Sequence, residues 1–510
     1  MVAILLVPQA IAYSYLAGMP PQYGLYAAIL PIVLYAILGT SPHIAIGPVA
    51  ISAILILAGV SQLAEPFSTE YIELVVLLGL LIGIFQTFIG LIKKGSLTNF
   101  LSYPVITGFT SAASIIIITS QLKDLLGIHV PKFEYFHESV IHIISNIQGI
   151  HVFTLLIACA SGAFIYLSNK LSRKIPSGLF LVVFGILFSY TFDFQAKGID
   201  IIGFVPSGLP QFNLPSFSIS RIISLLPTIL LVSTIGIVET IGIAKALENK
   251  NNFYRINSNQ EFIAIGVAKI GGSFFNALPS SASFSRSALL HQSKAKTNIA
   301  SIISVIFVIF ALLYLTPLLH FLPKVILAVI IIYAIKNLFE FSLAKKLYNL
   351  FKIDFAVMII TFIASLVLSL EWGVGIGLIA SFMVATKSKE SFLKGVGTIF
   401  SQRYRKRIFI NEKEISQLEV TINENLHFGN IHFLEKIITE KVDNLPNIMS
   451  VEIQFENCTH VDISATIVFR EILKLLETKG ISCHASKLNN DLNKIFIEHK
   501  VLINNKDITY

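Results

Sequence analysis

Long apolar runs separated by short polar stretches occupy about three quarters of the chain, starting near its first residue. A bilayer core of about 30 Å is crossed by roughly 20 apolar residues in a helix. By this measure the sequence predicts fourteen membrane segments, two of them short, and hence an all-α polytopic membrane domain at residues 1–386. The predicted segments are 2–18, 21–39, 48–60, 72–92, 98–122, 150–168, 176–192, 222–247, 261–277, 284–293, 297–316, 323–338, 354–370 and 372–386.

The pattern changes after residue 386. Lys and Arg are frequent between residues 387 and 407, which predicts that the stretch 387–414 is a basic linker lying against anionic lipid headgroups. From 415 to 510, short β-type runs alternate with amphipathic helical stretches, as in small α/β domains. We expect strands at 418–422, 449–455 and 481–484, and helices at 431–442 and 465–477. The sequence therefore predicts a small soluble domain after the membrane domain.

The fourteen segments divide into two sets of seven, at about 1–192 and 222–386, on either side of a polar stretch rich in Pro and Gly. An odd number of segments inverts the second set relative to the first. The short segments, 48–60 and 284–293, are each third in their set. Such a matched pair indicates a binding site near the bilayer midplane between inverted repeats. A chance match of two short runs is the alternative.

Basic residues are unevenly distributed over the loops. If the first segment runs outward, most of the loop Lys and Arg residues fall on one side, as in the loops around Lys93, Lys170 and Lys345. Loops rich in Lys and Arg face the cytoplasm. We therefore expect both ends of the membrane domain, and the C-terminal domain, to be cytoplasmic, with the protein in the plasma or inner membrane.

Composition narrows the class of protein. The 510 residues are 54% apolar and 13% charged, with a mean hydropathy of +0.75, which indicates membrane lipid as the surroundings. The net charge of +8 lies in short loops and not on a polar domain face, so a nucleic-acid partner is not expected. Three scattered cysteines predict neither a disulfide framework nor a metal site, and no cofactor is predicted.

The first apolar run starts at Val2 with no basic region or cleavage site before it. It therefore predicts a retained helix and not a signal peptide. Either the natural start lies upstream or this helix lacks its lead-in.

The strongest local signal is the stretch 279–288, in which a proline and several serines precede a short apolar helix that carries Arg286. The N-terminus of a helix presents unpaired backbone N–H groups and positive partial charge, which attract anions. Arg286 adds a full charge that is unfavourable at membrane depth unless it faces a wet cavity or a counter-ion. The alternative is a Ser-capped helix whose arginine extends to the lipid interface.

The corresponding stretch of the first half is 39–52. Gly47 permits close approach of the backbone, and Pro48 suits a first helical position. These residues predict a second helix N-terminus that faces the first across one cavity. A plain Gly-Pro turn between two membrane segments is the alternative.

Three further polar residues lie within apolar segments. Gln9 could bind an oxyanion or only a neighbouring helix. Glu239 is an intramembrane carboxyl, which indicates a functional group, with a permanent ion pair to Arg286 or Lys269 as the structural alternative. Lys269 lies mid-segment, and the sequence leaves open whether it lines a cavity or extends to the interface.

These stretches resemble the SulP sulfate permease family over nearly the whole chain. The matching runs are VPQAIAY at 7–13, PPQYGLY at 20–26, the segment 39–48, ETIGIAKA at 239–246 and SFSRS at 283–287. The resemblance implies a seven-plus-seven inverted fold with core and gate domains, a homodimer and a C-terminal STAS domain. It also implies an anion site between the third and tenth helix N-termini, lined by Gln9, Tyr13, Val49, Ala50, Phe284, Ser285 and Arg286.

The resemblance further assigns Glu239 as the residue that couples transport to a second ion. Similar bicarbonate carriers have an Asp associated with sodium there, whereas the Glu resembles the proton-coupled sulfate type. Lys269 departs from the family, because similar sequences tend to have an uncharged residue at that position. The missing lead-in before the first helix is the second departure.

In the C-terminal domain, LHFGN at 426–430 and VDISA at 461–465 resemble STAS domains. Ser464 occupies the place of a phosphorylatable serine in related regulatory proteins. Its neighbours, Ile463 and Ala465, weaken that match, so a plain helix cap is the favoured role of Ser464, with regulation as the alternative.

Together these features predict a secondary transporter that couples sulfate to protons by alternating access, with sodium as a possible coupling ion. A bicarbonate or dicarboxylate transporter, or an anion exchanger, is the alternative within the family. A nucleobase-type permease is less consistent with the SFSRS run. A membrane scaffold or sensor with vestigial transport is the alternative from another class. An enzyme is not expected, because no nucleophile–base pair or phosphate loop occurs.

Overall fold

The computed structural model describes residues 2–93, 102–131, 136–171, 176–248, 256–335, 341–386, 408–414, 417–444, 448–498 and 508–509. The chain forms two compact units. The first unit comprises Met1–Thr98, Thr110–Phe339 and Ser365–Trp372, and the second comprises Asn99–Phe109, Glu340–Ala364 and Gly373–Tyr510. Most of the predicted basic linker, residues 387–407, lies outside the described residues.

Helices account for nearly all regular structure before residue 387. They are α1 Val2–Leu16, α2 Pro21–Tyr26, α3 Leu30–Leu38, α4 Ala50–Val60, α5 Thr69–Leu91, α6 Tyr103–Leu126, α7 Phe136–Ser145, α8 Val152–Leu171, α9 Ser177–Phe192, α10 Ile219–Glu248, α11 Ser258–Ser273, α12 Phe284–Gln292, α13 Ile299–Phe310, α14 Lys324–Ile335, α15 Phe341–Leu350, α16 Lys352–Val367 and α17 Leu370–Thr386. Two strands of two residues, β1 Ile46–Gly47 and β2 Ser281–Ala282, precede α4 and α12.

Each predicted segment overlaps helical structure. Within the described residues, six apolar stretches are long enough to cross a membrane: Pro21–Leu38, Thr69–Leu91, Tyr103–Leu126, Val152–Leu171, Ile219–Ala244 and Ile299–Phe321. The number of actual crossings stays a prediction.

Local chemistry modifies two of the predicted segments. Segment 21–39 is broken between α2 and α3 because Pro31 lacks an N–H and its ring would clash with the preceding turn. Segment 297–316 continues beyond α13 through a π-turn, Ala311–Leu315, and a 3-10 turn, Thr316–Phe321. The amphipathic helices α7 and α15 were not predicted, since they lie between the long apolar runs.

Helices α5 and α11 pack closely because small residues face each other. A Cβ added to Gly83 would lie 2.7 Å from the backbone oxygen of Gly266, and one added to Gly266 would lie 2.3 Å from Oγ1 of Thr87. Such contacts let two helix backbones approach within a membrane. This packing places Gln86 of α5 beside Lys269 of α11.

The C-terminal part of the second unit contains a five-stranded sheet among its described residues. Its strands, in spatial and chain order, are β3 Ile408–Glu414, β4 Gln417–Ile422, β5 Ser450–Gln454, β6 Ser482–Ser486 and β7 Ile508–Thr509. Strands β3 and β4 are antiparallel, and the remaining pairs are parallel. Helices α18 Ile431–Asn444, α19 Ile463–Thr478 and α20 Asn490–Glu498 connect the parallel strands.

The three predicted strands and two predicted helices of this domain overlap β4, β5, β6, α18 and α19. Its core is formed by apolar residues of the strands and the facing helices, including Val420, Ile453, Phe455, Phe469 and Phe496. Strand β3 corrects the predicted extent of the linker, because residues 408–414 were predicted to form the end of that linker and instead belong to the sheet. Its apolar residues, Ile408, Phe409 and Ile410, are consecutive and form a run too short to separate from the basic segment before it.

Candidate functional site

The two short helices of the matched pair begin at opposite ends of one pair of short strands. Strands β1 and β2 are antiparallel, with Ile46 opposite Ala282 and Gly47 opposite Ser281. Helices α4 and α12 begin three and two residues after these strands. The strand pairing therefore brings the N-termini of both helices to one place, as the sequence predicted.

Two further hydrogen bonds fix this arrangement. The N–H of Ser283 donates to the carbonyl oxygen of Ala45 at 3.0 Å. The N–H of Ala45 donates to Oγ of Ser287 at 2.9 Å. The loop before α4 is thus tied both to the start of α12 and to its first turn.

Neither helix N-terminus is satisfied by its own capping side chain. Val49 and Ser283 are the N-cap residues of α4 and α12, both with extended backbone, and neither side chain accepts a capping hydrogen bond. Helix N-termini without a side-chain cap leave backbone N–H groups available to another acceptor. The first residues of these helices, Ala50 and Phe284, carry such groups.

Arg286 is fully buried and points toward the first half of the pair. Its side chain has 0% exposure, Nη1 donates to Oε1 of Gln9 at 2.9 Å, and Nη2 donates to the carbonyl oxygen of Pro48 at 3.1 Å. The Nε atom is buried with no hydrogen-bond partner among the described residues. The alternative in which Arg286 extends to the lipid interface is therefore excluded, and one of its donors stays available.

Gly47 makes this close approach possible. Its φ of +149° is a backbone conformation that residues with side chains rarely adopt, and an added Cβ would lie 3.1 Å from Nη2 of Arg286. The glycine that the sequence analysis assigned to close backbone approach thus borders the arginine.

The other predicted anion-site residues lie around this pair with different exposure. Tyr13 is buried and interacts electrostatically with Arg286. Val49 is buried, whereas Phe284 is 60% exposed. Ser285 is also exposed, and its hydroxyl lies 3.3 Å from that of Ser283. A partly apolar surface thus adjoins the buried arginine.

Glu239 lies on α10 close to the paired strands. Three residues earlier in the helix, a Cβ on Gly236 would lie 3.2 Å from Oγ of Ser281 in β2. Glu239 is half-buried as a residue, but its Oε2 is buried and has no hydrogen-bond partner among the described residues. It interacts electrostatically with Arg286 and Lys269, yet within the described ranges no ion pair to either comes within 4.0 Å. A permanent salt bridge is therefore not the role of Glu239 in this conformation.

Lys269 is 4% exposed, so it does not extend to the interface. Its Nζ donates to Oε1 of Gln86 at 2.9 Å, and Nε2 of Gln86 donates to the carbonyl oxygen of Ser233 on α10 at 3.2 Å. Lys269 is thereby linked to the helix that carries Glu239.

Glu261 was not predicted by the sequence analysis. It is fully buried in the first turn of α11, where Oε1 accepts the N–H of Thr40 at 2.7 Å and the N–H of Ser41 at 3.2 Å. Its Oε2 accepts the hydroxyl of Tyr35 at 2.7 Å. The carboxylate thus fixes the loop that leads into β1. The available sequence signal was an acidic residue in the first turn of an otherwise apolar segment.

Ser464 lies in the second unit. It is buried in the first turn of α19, and its Oγ accepts the backbone N–H of Tyr103 at 2.9 Å. The cap of α19 is Asp462, whose side chain accepts the N–H of Ala465. The prediction of a plain helix cap at Ser464 is therefore wrong, because the carboxylate two residues earlier occupies that position.

Within the described ranges, no group of three or more His, Cys, Asp or Glu side chains is arranged to hold a metal ion. The chemistry of the paired N-termini and Arg286 is that of anion binding, because both present hydrogen-bond donors and positive charge.

Comparisons with known proteins agree with this chemistry. The model of the sulfate permease family matches residues 1–361. A probable sulfate transporter 4.2 of Arabidopsis thaliana is 31% identical over 515 residues, which cover 96% of this chain and 75% of the relative. A sodium-independent sulfate anion transporter of Bos taurus is 31% identical over 520 residues, covering 94% of this chain and 81% of the relative.

Solved structures share the fold at lower identity. SLC26A9 matches with a TM-score of 0.71 at 22% identity, over 99% of this chain and 87% of that chain. The transmembrane domain of a cyanobacterium bicarbonate transporter, BicA, matches with a TM-score of 0.64 at 21% identity, over 74% of this chain and 94% of that chain. The expected fold class, a helical membrane domain followed by a small α/β domain, is confirmed.

Proposed function

The chain belongs to the sulfate permease family, and from this premise we propose that it imports sulfate by symport with protons. It is an integral multi-pass membrane protein that transports small inorganic anions, and its relatives are transporters and not enzymes. The observation that carries the finer proposal is the fully buried Arg286 at the joined N-termini of α4 and α12.

The anion binds where the two helix N-termini meet. Backbone N–H groups at Ala50 and at Phe284 and Ser285 act with the guanidinium of Arg286 on the anion oxygens, while Gln9 orients the guanidinium. Tyr13, Val49 and the ring of Phe284 form the remaining wall. Charge-assisted hydrogen bonds in a site with little water are stronger than neutral ones, which favours an anion over a neutral solute.

Proton coupling is assigned to Glu239. When the anion is absent, Arg286 and Lys269 favour the ionised form of this carboxyl group, because its negative charge offsets theirs. Entry of a divalent anion supplies that negative charge instead, so protonation of Glu239 becomes favourable. Anion and proton then cross together as the core moves against the gate around a fixed site.

The same reasoning assigns the remaining features. The bias of Lys and Arg toward one set of loops favours a plasma or inner membrane location with the C-terminal domain in the cytoplasm. That domain, with its mixed five-stranded sheet and the LHFGN and VDISA loops, is proposed as a STAS domain. We extend the proposal to a homodimer on the family resemblance alone.

The decisive experiment is uptake of radiolabelled sulfate into proteoliposomes that contain the full chain, with and without an inward proton gradient. We expect the gradient to accelerate uptake. Arg286→Ala should lower uptake about 100-fold or more, because it removes the only cation that touches both halves of the site within the described residues. Arg221→Ala is the matched control. Arg221 lies away from the site, where its Nη1 forms a salt bridge with Oε2 of Glu73 at 2.9 Å.

Glu239→Gln should leave sulfate binding measurable and remove the acceleration by the proton gradient. If uptake by the wild-type protein does not depend on the proton gradient, protons are not the coupling ion. Full uptake by Arg286→Ala would remove the assignment of the site.

A further inference from the structure

Lys269 is a buried cation to which the proposed transport cycle assigns no contact with the anion. It lies in the fourth turn of α11 with 4% exposure, and Nζ donates to the neutral amide oxygen of Gln86. In the described part of the chain no carboxylate oxygen lies within 4.0 Å of it. A cation held away from water without an ion pair is strongly unfavourable. A negative charge nearby, from Glu239 or from a bound anion, therefore favours the charged form of Lys269.

The surroundings of Lys269 keep the ammonium group inside the protein. Close packing at Gly83 and Gly266 holds α5 against α11. Gln86 continues the connection by donating to Ser233 on α10, six residues before Glu239. Lys269 is therefore fixed relative to the helix that carries the coupling carboxyl group.

Glu239, Lys269 and Arg286 form a cluster whose net formal charge depends on whether Glu239 is protonated. Glu239 interacts electrostatically with both Lys269 and Arg286. The three groups sum to +1 when the carboxyl group is ionised and to +2 when it is protonated. Without Lys269 the same two states would be neutral and +1. Lys269 thus makes the protonated site equal and opposite in charge to a divalent anion.

Resting on the proposed function, we propose that Lys269 sets the charge selectivity of the site and makes it prefer divalent oxyanions to monovalent anions of the same shape. A fixed positive charge attracts a dianion twice as strongly as a monoanion at equal distance. Lys269 acts through the electrostatic potential and not by contact, so it is a specificity-determining residue that does not touch the substrate.

The test compares sulfate with perchlorate, which has the same tetrahedral shape and one charge less. Binding of each anion to the purified full chain is measured by titration calorimetry, and each is also used to compete with labelled sulfate uptake in proteoliposomes. Lys269→Met should lower the ratio of sulfate to perchlorate affinity by at least about tenfold. Lys269→Arg, which keeps the charge, should retain the wild-type ratio.

Two controls separate charge selectivity from structural effects. Lys197→Met removes an exposed lysine of the first unit that lies over the ring of Phe192, and should leave the ratio unchanged. If Lys269→Met does not purify as a folded protein, Glu239→Gln gives the opposite test, because removal of the negative charge should raise the ratio.

The outcomes distinguish this inference from the function on which it rests. If the wild-type protein binds neither anion, the proposed sulfate site fails and Lys269 with it. If the wild-type protein selects sulfate and Lys269→Met weakens both anions equally, Lys269 is only structural and this inference alone is overturned. The inference is supported if Lys269→Met lowers the preference for sulfate over perchlorate and Lys269→Arg keeps it.

Discussion

The two halves of the proposed anion site have similar backbones and different chemistry. We define the first half-site as residues 39–60 and the second half-site as residues 279–292. Each consists of a loop, a two-residue strand and a short helix. The first half-site contains no Lys, Arg, Asp or Glu, whereas the second contains Arg286. The paired strands β1 and β2 thus place both helix N-termini, and only the second half-site adds an Arg side chain to them.

The half-sites are also held in place differently. The first is fixed by the carboxylate of Glu261, which accepts the N–H groups of Thr40 and Ser41. The second is fixed to the first, through Oγ of Ser287 and the N–H of Ala45. Glu261 is therefore expected to set the position of both half-sites, whereas Ser287 affects only their junction.

Apart from removal of Arg286 itself, the largest effect is expected where the first half-site contacts the arginine. Gly47→Ala places a methyl group 3.1 Å from Nη2 of Arg286 and requires a φ that alanine rarely adopts. Because displacement of a binding group by about 1 Å can lower a rate about 100-fold, sulfate uptake should fall by about that factor. This decrease is measured as the initial rate of sulfate uptake into proteoliposomes that contain the full chain.

Gly162→Ala is the matched control for this substitution. An added Cβ at Gly162, within α8, has no atom within 4 Å, so the control should transport as the wild type does. Normal uptake by Gly47→Ala would show that the close contact between the half-sites is not needed for binding.

The half-sites also show which features could be predicted from sequence. Each short helix was found because Pro48, Gly47 and the serines around Arg286 are local signals at its start. Strands β4, β5 and β6 of the C-terminal domain were found for a similar reason, since their apolar runs are bounded by polar turns. Features of this kind depend on neighbouring residues in the chain.

Contacts between distant residues could not be predicted in the same way. Thr40 and Glu261 are 221 positions apart, and nothing near Glu261 indicates its partner. The role of Asp462 as the cap of α19, in place of Ser464, depended on which of two candidates, two positions apart, the fold places at the helix start. The burial of Arg286 needed the pairing of β1 with β2, which brings Pro48 within its reach.

An intermediate effect is expected for Glu261→Gln, which tests whether the first half-site depends on its buried carboxylate. The neutral amide can keep some of the hydrogen bonds to Thr40 and Ser41, but these become weaker, and its NH₂ group cannot accept from a donor. Sulfate uptake should fall about tenfold, and the melting temperature of the purified protein should decrease. Glu70→Gln is the control, because it makes the same change in an exposed glutamate. Oε1 of Glu70 lies 3.8 Å from Nη2 of Arg221, in a salt bridge at the surface. Unchanged uptake and melting temperature would show that another contact fixes the loop before β1.

The smallest effect is expected for Ser287→Ala, which breaks the link between the half-sites without changing any charge. The buried N–H of Ala45 loses its acceptor, and an unsatisfied buried donor destabilises a protein by about 1–3 kcal/mol. The strand pairing and the hydrogen bond from Ser283 to Ala45 remain, so Arg286 should keep its position. The melting temperature should therefore decrease while the affinity for sulfate changes less than about threefold. The melting temperature and the sulfate affinity of Ser287→Ala are compared with those of Glu261→Gln. A loss of affinity as large as that caused by Glu261→Gln would mean that the junction, and not the carboxylate, sets the relative position of the two half-sites.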